Sequence, residues 1–165
     1  MPWIILALIA LALIALFLKL SKKSGSLSRE FSYDKQDALF SPAERSFLGV
    51  LNQAIEDNAF VFGKVRVADV LKPSKGIARN QWQTAFNKIN SKHFDFVLCD
   101  KNDLSLLCAI ELNDKSHNSK KRKERDVFLT SACESAMLPL IQIPAQSAYN
   151  IDDIRQTLLT HLSSC

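Results

Sequence analysis

The sequence predicts an α/β fold in which helices flank a four-stranded mixed sheet, preceded by one apolar N-terminal helix. Three observations lead there. Residues Met1 to Leu18 carry no charge and are almost wholly apolar. Residues 21–40 are rich in Ser, Lys and Asp and lack a sustained apolar period. From Ser41 onward apolar residues recur at helical and strand spacing in the order helix, strand, helix, strand, strand, helix, strand, helix, which favours one sandwich around a mixed sheet. The chain accordingly divides into an anchor at 1–20, a polar linker at 21–40 and a folded domain at 41–165.

Trp3 to Leu18 is apolar around its whole circumference, and as a helix rising about 1.5 Å per residue it nearly crosses a bilayer core of about 30 Å. A cleaved signal peptide is the competing reading, but no basic residue precedes the run and no convincing small-residue cleavage site follows it. Lys19, Lys22, Lys23 and Arg29 all follow it. The positive-inside tendency therefore predicts a single-pass membrane protein, held through residues 3–18, with its C-terminal domain in the cytoplasm and Trp3 at the far interface.

In the domain, Ser41-Pro42-Ala43-Glu44 predicts a helix start: Ser41 caps, Pro42 fits the first helical position and Glu44 closes a capping box. Phe47, Leu48, Leu51, Ala54 and Ile55 supply its buried stripe. Phe60 to Leu71 is β-rich and predicts a strand in which Lys64 and Arg66 alternate against Val65 and Val67. Ala78, Trp82, Ala85, Phe86 and Ile89 fall at helical spacing and predict a helix over 76–91. Strands are predicted at Phe94–Asp100 and Leu104–Asn113, joined by a polar turn at Lys101-Asn102-Asp103. A helix over 118–136 and a strand from Leu138 to Ile143 follow. The last helix is capped by Asn150 and buries Ile154, Leu158, Leu159 and Leu162.

Composition excludes several classes. With 165 residues, 47% of them hydrophobic, the chain can bury a core, and no internal period suggests a repeat array. Cys99, Cys108, Cys133 and Cys165 show no C-x-x-C spacing, which argues against a zinc knuckle or a redox pair and for reduced thiols.

The chemistry concentrates between residues 94 and 126. Asp95 interrupts the face carrying Val97 and Cys99, and Glu111 the face carrying Leu107 and Ala109. A five-residue hairpin loop would set the two acids directly opposite, where Cβ atoms lie about 4.5–5.5 Å apart. Carboxylates so placed repel unless a cation sits between them, and Mg²⁺ (or Mn²⁺) is the natural occupant. The alternative is that one acid pairs with Lys115 or Arg125, or points to water. Glu44 lies on the Leu48, Leu51 and Ile55 side of its helix, although the capping box accounts for it equally well. Lys115, His117, Lys120, Lys121, Arg122, Lys123 and Arg125 form the densest basic stretch in the chain. Cations at a helix start oppose its dipole and invite a compensating anion such as phosphate, against the commoner reading of a solvated face.

The runs His93-Phe-Asp-Phe-Val-Leu-Cys-Asp100, Cys108-Ala-Ile-Glu-Leu-Asn-Asp-Lys-Ser-His117 and Lys123-Glu-Arg-Asp-Val-Phe128 resemble the bacterial family called domain of unknown function 2726. That family in turn resembles a branch of the PD-(D/E)XK nuclease superfamily, near the very-short-patch repair endonucleases. The resemblance implies a restriction-endonuclease-like core, with Asp95, Glu111 and the Leu112 carbonyl binding Mg²⁺ and Glu44 approaching from the first helix. Phe94 stands where the superfamily pattern has Pro, and Asn113 where it has the catalytic Lys. Lys115 lies on the same face if the strand continues, about 6.6 Å further along, and its stem could reach back. In a working enzyme the metal would activate water while Lys115 or His117 stabilised the transition state. Lys120, Lys121, Lys123 and Arg125 would contact nucleic acid, DNA or RNA. The expectation is a membrane-anchored, cytosol-facing metal-dependent phosphodiesterase; the alternative is a non-catalytic nucleic-acid- or protein-binding module on the same fold.

Overall fold

The structure, a computed structural model, describes residues 2–23, 31–113 and 120–162 and divides into two compact units, Met1–Asp37 and Ala38–Cys165. The first holds helix α1 (Pro2–Lys23), 22 residues long. Its described side chains, Trp3 and residues 9–18, are exposed. Among the described residues no helix is long and apolar enough to cross a membrane. The structure does not support the expected membrane anchor, which rests on the sequence pattern alone.

The second unit is a mixed α/β domain. Helix α2 (Pro42–Ile55) starts on a reciprocal cap: Ser41 Oγ accepts the Glu44 N–H at 3.3 Å, and Glu44 Oε2 accepts the Ser41 N–H at 2.8 Å. Two backbone donors that the first turn would leave unpaired are thereby satisfied. Strand β1 (Ala59–Arg66) pairs antiparallel with β2 (His93–Asp100), β2 antiparallel with β3 (Leu106–Asn113), and β3 parallel with β4 (Leu140–Pro144). A parallel pair needs a crossover. Helix α5 (Lys120–Ser135) lies in that connection, after the short helix α3 (Val67–Val70) and α4 (Arg79–Asn90); α6 (Ile151–Leu162) closes the chain.

Both faces of the sheet are covered. On one, α2 and α6 bury Phe47, Leu51, Ile154 and Leu158 against Phe96, Leu98, Cys108, Ile110, Ile141 and Ile143. On the other, α3, α4 and α5 bury Val67, Ile89, Leu129 and Cys133 against Phe94, Val97, Cys99 and Ala109. Burial on both faces is why the two central strands read as nearly unbroken apolar runs.

Several expectations are corrected. The strand expected to reach Leu71 ends at Arg66, and Val67–Val70 turn into one helical turn. There the Val67 N–H donates to Lys92 O at 2.8 Å and its side chain is driven fully into the core. The helix expected from residue 76 begins at Arg79, with Ala78 as its cap. Trp82 remains 40% exposed because its ring stacks on Phe86, with centroids 5.1 Å apart, rather than entering the core. Leu104 lies before β3 because the loop closes through its N–H to Asp100 O at 3.1 Å, with Leu104 at φ 60°. Asn150 does cap α6, its Oδ1 accepting the Asp152 and Asp153 N–H groups at 2.8 and 3.4 Å. Leu159, 53% exposed, lies off the buried face that Ile154 and Leu158 define.

One irregularity positions the site. Val61 belongs to the α2/α6 cluster but Val65 to the other; Phe96 and Leu98 belong to the first but Phe94 to the second. Strand alternation therefore breaks at Lys64 and Asp95. These residues stand across from each other, because Gly63 pairs with Phe96 and Val65 with Phe94. Lys64 has φ 54°, a left-handed conformation that costs a non-glycine residue about 1 kcal/mol. Beside it, a Cβ on Gly63 would overlap the Phe40 ring, which stacks on Phe96 at 5.5 Å between centroids. Glycine is required there by close approach.

Candidate functional site

At the end of the sheet where β2 starts and β3 finishes, a cleft of about 800 Å³ collects Glu44, Lys64, Lys92, His93, Asp95, Glu111, Leu112, Asn113, Arg122, Lys123, Arg125 and Asp126 among its lining residues. The loop between β2 and β3 spans residues 101–105, and the pairing Phe96 with Ile110, continued by one step, sets Asp95 across from Glu111. Asp95 Oδ2 accepts the Leu112 N–H at 2.9 Å, which ties the acid of one strand to the backbone of the next.

Each acid has its own electrostatic solution. Burial pushes Glu44 up, but the Lys64 ammonium, with Nζ 2.5 Å from Glu44 Oε1, and the Ser41 cap more than offset it; its carboxyl lies below the usual glutamate range. Burial raises Asp95, and the neighbouring Glu44 charge adds to this, while the Leu112 N–H and Lys64 oppose it; the net direction is upward. Lys64 Nζ is 3.6 Å from Asp95 Oδ1.

Glu111 is only 4% exposed. Burial, with Asp95 and Asp126 adding to it, pushes its carboxyl up to about 7 although Arg125 opposes the shift. Arg125 reaches from α5 to donate to Glu111 Oε2 at 2.7 Å. The other oxygen, Oε1, is buried with no hydrogen-bond partner among the described residues. A buried carboxylate oxygen without a partner is costly unless protonation, water or a cation compensates it.

Among the described residues no group of three or more His, Cys, Asp or Glu is arranged to hold a metal ion. The two facing acids fit a hard divalent cation in a more limited way. Mg²⁺ commonly takes one or two carboxylates and completes its shell with water, carbonyl and phosphate oxygens, and Glu111 Oε1 is an oxygen donor without a hydrogen-bond partner among the described residues.

Of the residues the sequence singled out, Glu44, Asp95, Glu111, Leu112, Lys123 and Arg125 line this cleft. Lys120 is exposed at the first residue of α5 and is not among the lining residues. Lys121 follows it on the helix, and Lys115 and His117 lie outside the described residues. Arg125, expected at nucleic acid, pairs with Glu111, one of the alternatives the spacing leaves open. The charged and imidazole side chains of the lining not assigned to a site beforehand are Lys64, Lys92, His93, Arg122 and Asp126. Lys64 looked like an outward residue in plain alternation; the glycine before it, in an otherwise β-rich run, was the available sign of a break.

Fold and site together define a mixed α/β domain whose sheet end opens into an acid-floored, cation-lined cleft. The chain belongs to the DUF2726 family, described as proteins of unknown function, which matches residues 36–162. No curated protein and no solved structure matches the chain.

Proposed function

We propose that the domain is a nuclease-like phosphodiesterase with a PD-(D/E)XK, restriction-endonuclease-like core, acting with Mg²⁺ or Mn²⁺ on DNA or RNA. The observation that carries this reading is the buried Glu111 Oε1, without a hydrogen-bond partner among the described residues, in a cleft that Glu111 shares with Asp95, Arg122 and Lys123. Asp95, Glu111 and the Leu112 carbonyl would hold the ion, which supplies an activated water and charge neutralisation at the phosphate. The cations draw the phosphate backbone into the cleft, and the acids keep a second anion out unless a cation accompanies it. Water adds to phosphorus as one P–O ester bond breaks, and the departing oxygen leaves with a proton. Lys115 and His117 are the nearby sequence candidates for steadying that charge.

We place the domain at the cytosolic face of a bacterial inner membrane, tethered by residues 3–18, on the strength of the uncharged run and the cations that follow it. External protease on intact spheroplasts should leave residues 41–165 undigested; digestion would reverse the orientation.

The reading is tested by cleavage of single- and double-stranded DNA and RNA by the full chain in mild detergent. Cutting is expected with Mg²⁺ or Mn²⁺ and not with chelator, and both Asp95→Asn and Glu111→Gln should abolish it. A second reading, a non-catalytic module that binds nucleic acid or a protein, is favoured by two contacts. Arg125 already pairs with Glu111, and the Asn113 amide is taken up by Gln142 Oε1 at 3.1 Å. Oligonucleotide binding without cleavage under any metal would select it.

A further inference from the structure

We propose that Lys64, from the edge strand β1, is the phosphate-facing cation of this site, in the role that the sequence pattern would give to the position of Asn113. The inference rests on the phosphodiesterase reading above and deepens it.

Asn113 cannot serve: it carries no charge, and its amide donates to Gln142, which in turn donates to Thr130 Oγ1 at 3.2 Å. Its side chain is thus built into a ladder across β3, β4 and α5. Two of the other cleft cations, Arg125 and Lys92, are engaged away from Glu44 and Asp95. Arg125 is bound to Glu111 Oε2 and to His93 O. Lys92 Nζ donates to Lys88 O at 2.5 Å and sits 5.1 Å from the centroid of the Phe128 ring. Lys64 alone among the described cations is joined by ion pairs to both Glu44 and Asp95, at 2.5 and 3.6 Å.

The backbone makes the placement specific. Lys64 holds a left-handed φ on a strand, directly across from Asp95, at the point where the strand changes faces. Regular alternation would have sent the side chain elsewhere, so the local cost is spent on bringing an ammonium to the acids. Glu44 supports it from α2 while the Ser41 cap fixes Glu44. The ammonium therefore stands at the cleft wall beside the acid proposed to hold the divalent ion, where charge accumulates on a non-bridging phosphate oxygen during hydrolysis. A preorganised donor there stabilises the transition state more than the ground state.

The experiment compares the full chain in mild detergent with Lys64→Asn, Lys64→Gly and Lys64→Arg. Asn and Gly both accept left-handed backbone, so they remove the charge without adding strain. The readouts are kcat and KM on labelled DNA and RNA oligonucleotides with Mn²⁺, and Mn²⁺ affinity by calorimetry without nucleic acid. Lys64→Asn should lower kcat about 100-fold or more with KM within about threefold. Mn²⁺ affinity should be unchanged or tighter, since an ammonium competing for Asp95 is gone. Lys64→Arg should recover about a tenth or more of the parent kcat.

Parent-like kcat in Lys64→Asn, or parallel loss of kcat and Mn²⁺ affinity, overturns the inference and leaves the phosphodiesterase reading intact. Failure of both Lys64→Asn and Lys64→Gly to fold makes Lys64 a structural ion-pair partner and also overturns it. A parent that cuts no substrate with either metal overturns both.

Discussion

The two halves of the cleft handle buried acid in opposite ways. On the β1 side Glu44 and Asp95 share Lys64, and each also accepts a backbone N–H, from Ser41 and Leu112. On the α5 side Glu111 has one oxygen on Arg125 and the other without a partner among the described residues. The first half is nearly balanced within the chain. The second is held at a cost to the fold, and such costs accumulate where a ligand repays them.

The sharpest way to break this contrast is to remove the cost. Burial pushes the Glu111 carboxyl up to about 7, against 4.5 for an ordinary glutamate. Because the folded value is raised, its contribution to stability is full below about pH 4.5 and is lost as pH rises through 7. The loss amounts to roughly 3 kcal/mol by pH 8.5. Glu111→Gln should abolish this decline, so urea unfolding in chelator should find the variant more stable than the parent at pH 8.5 and similar at pH 4.5. Millimolar Mg²⁺ should stabilise the parent alone. If Glu111 serves only as a structural partner of Arg125, the variant loses stability with or without metal.

A smaller effect is expected at Asp95. Asp95→Asn keeps an oxygen for the Leu112 N–H and lifts the repulsion from Glu44, so unfolding in chelator should shift by about 1 kcal/mol or less. A loss of roughly 3 kcal/mol or more would mean that the pair with Lys64 is structural and that the halves do not differ in kind.

Much of the fold was legible in the sequence and part of the site was not, for one physical reason. Helix caps and amphipathic periods are local: Ser41 with Glu44 and Asn150 with Asp152 declare helix starts within a few residues. The β2–β3 register expected from a five-residue loop holds from Phe96 with Ile110 to Leu98 with Cys108, but shifts by one residue at Cys99, which pairs with Leu106. The role of Lys64 depends on a face change that only the pairing with Phe94 and Phe96 and the packing of Phe40 on Gly63 reveal. Likewise, Val67 turns inward because of Lys92 O, twenty-five residues downstream. Leu159 was misread because helical spacing alone does not say how wide a stripe the neighbouring elements cover.

At the capping acid, Ser41→Ala should cost about 1 kcal/mol in unfolding free energy by loss of the Glu44 N–H bond. Because the Glu44 carboxyl is lowered, its own stabilising share is present above about pH 4.5 and is lost as pH falls through the folded value. This trend runs opposite to that of Glu111. The smallest effect separates the lysines of α5. Lys123→Ala, in the cleft lining, should flatten the salt dependence of duplex DNA binding by about 0.9 in log–log slope. Lys120→Ala, outside it, should change the slope less, and equal slopes would make α5 a solvated basic face.

The central claim, that Asp95 and Glu111 hold a divalent ion, is tested most directly by calorimetric titration of Mn²⁺ into the full chain at pH 8. One site with a Kd of about 1 mM or tighter is predicted, weakened at least about tenfold in Asp95→Asn and in Glu111→Gln, and weakening in the parent as pH falls below 7 and Glu111 protonates. Absence of binding at pH 8, or binding that both variants retain at parent strength, would contradict the account.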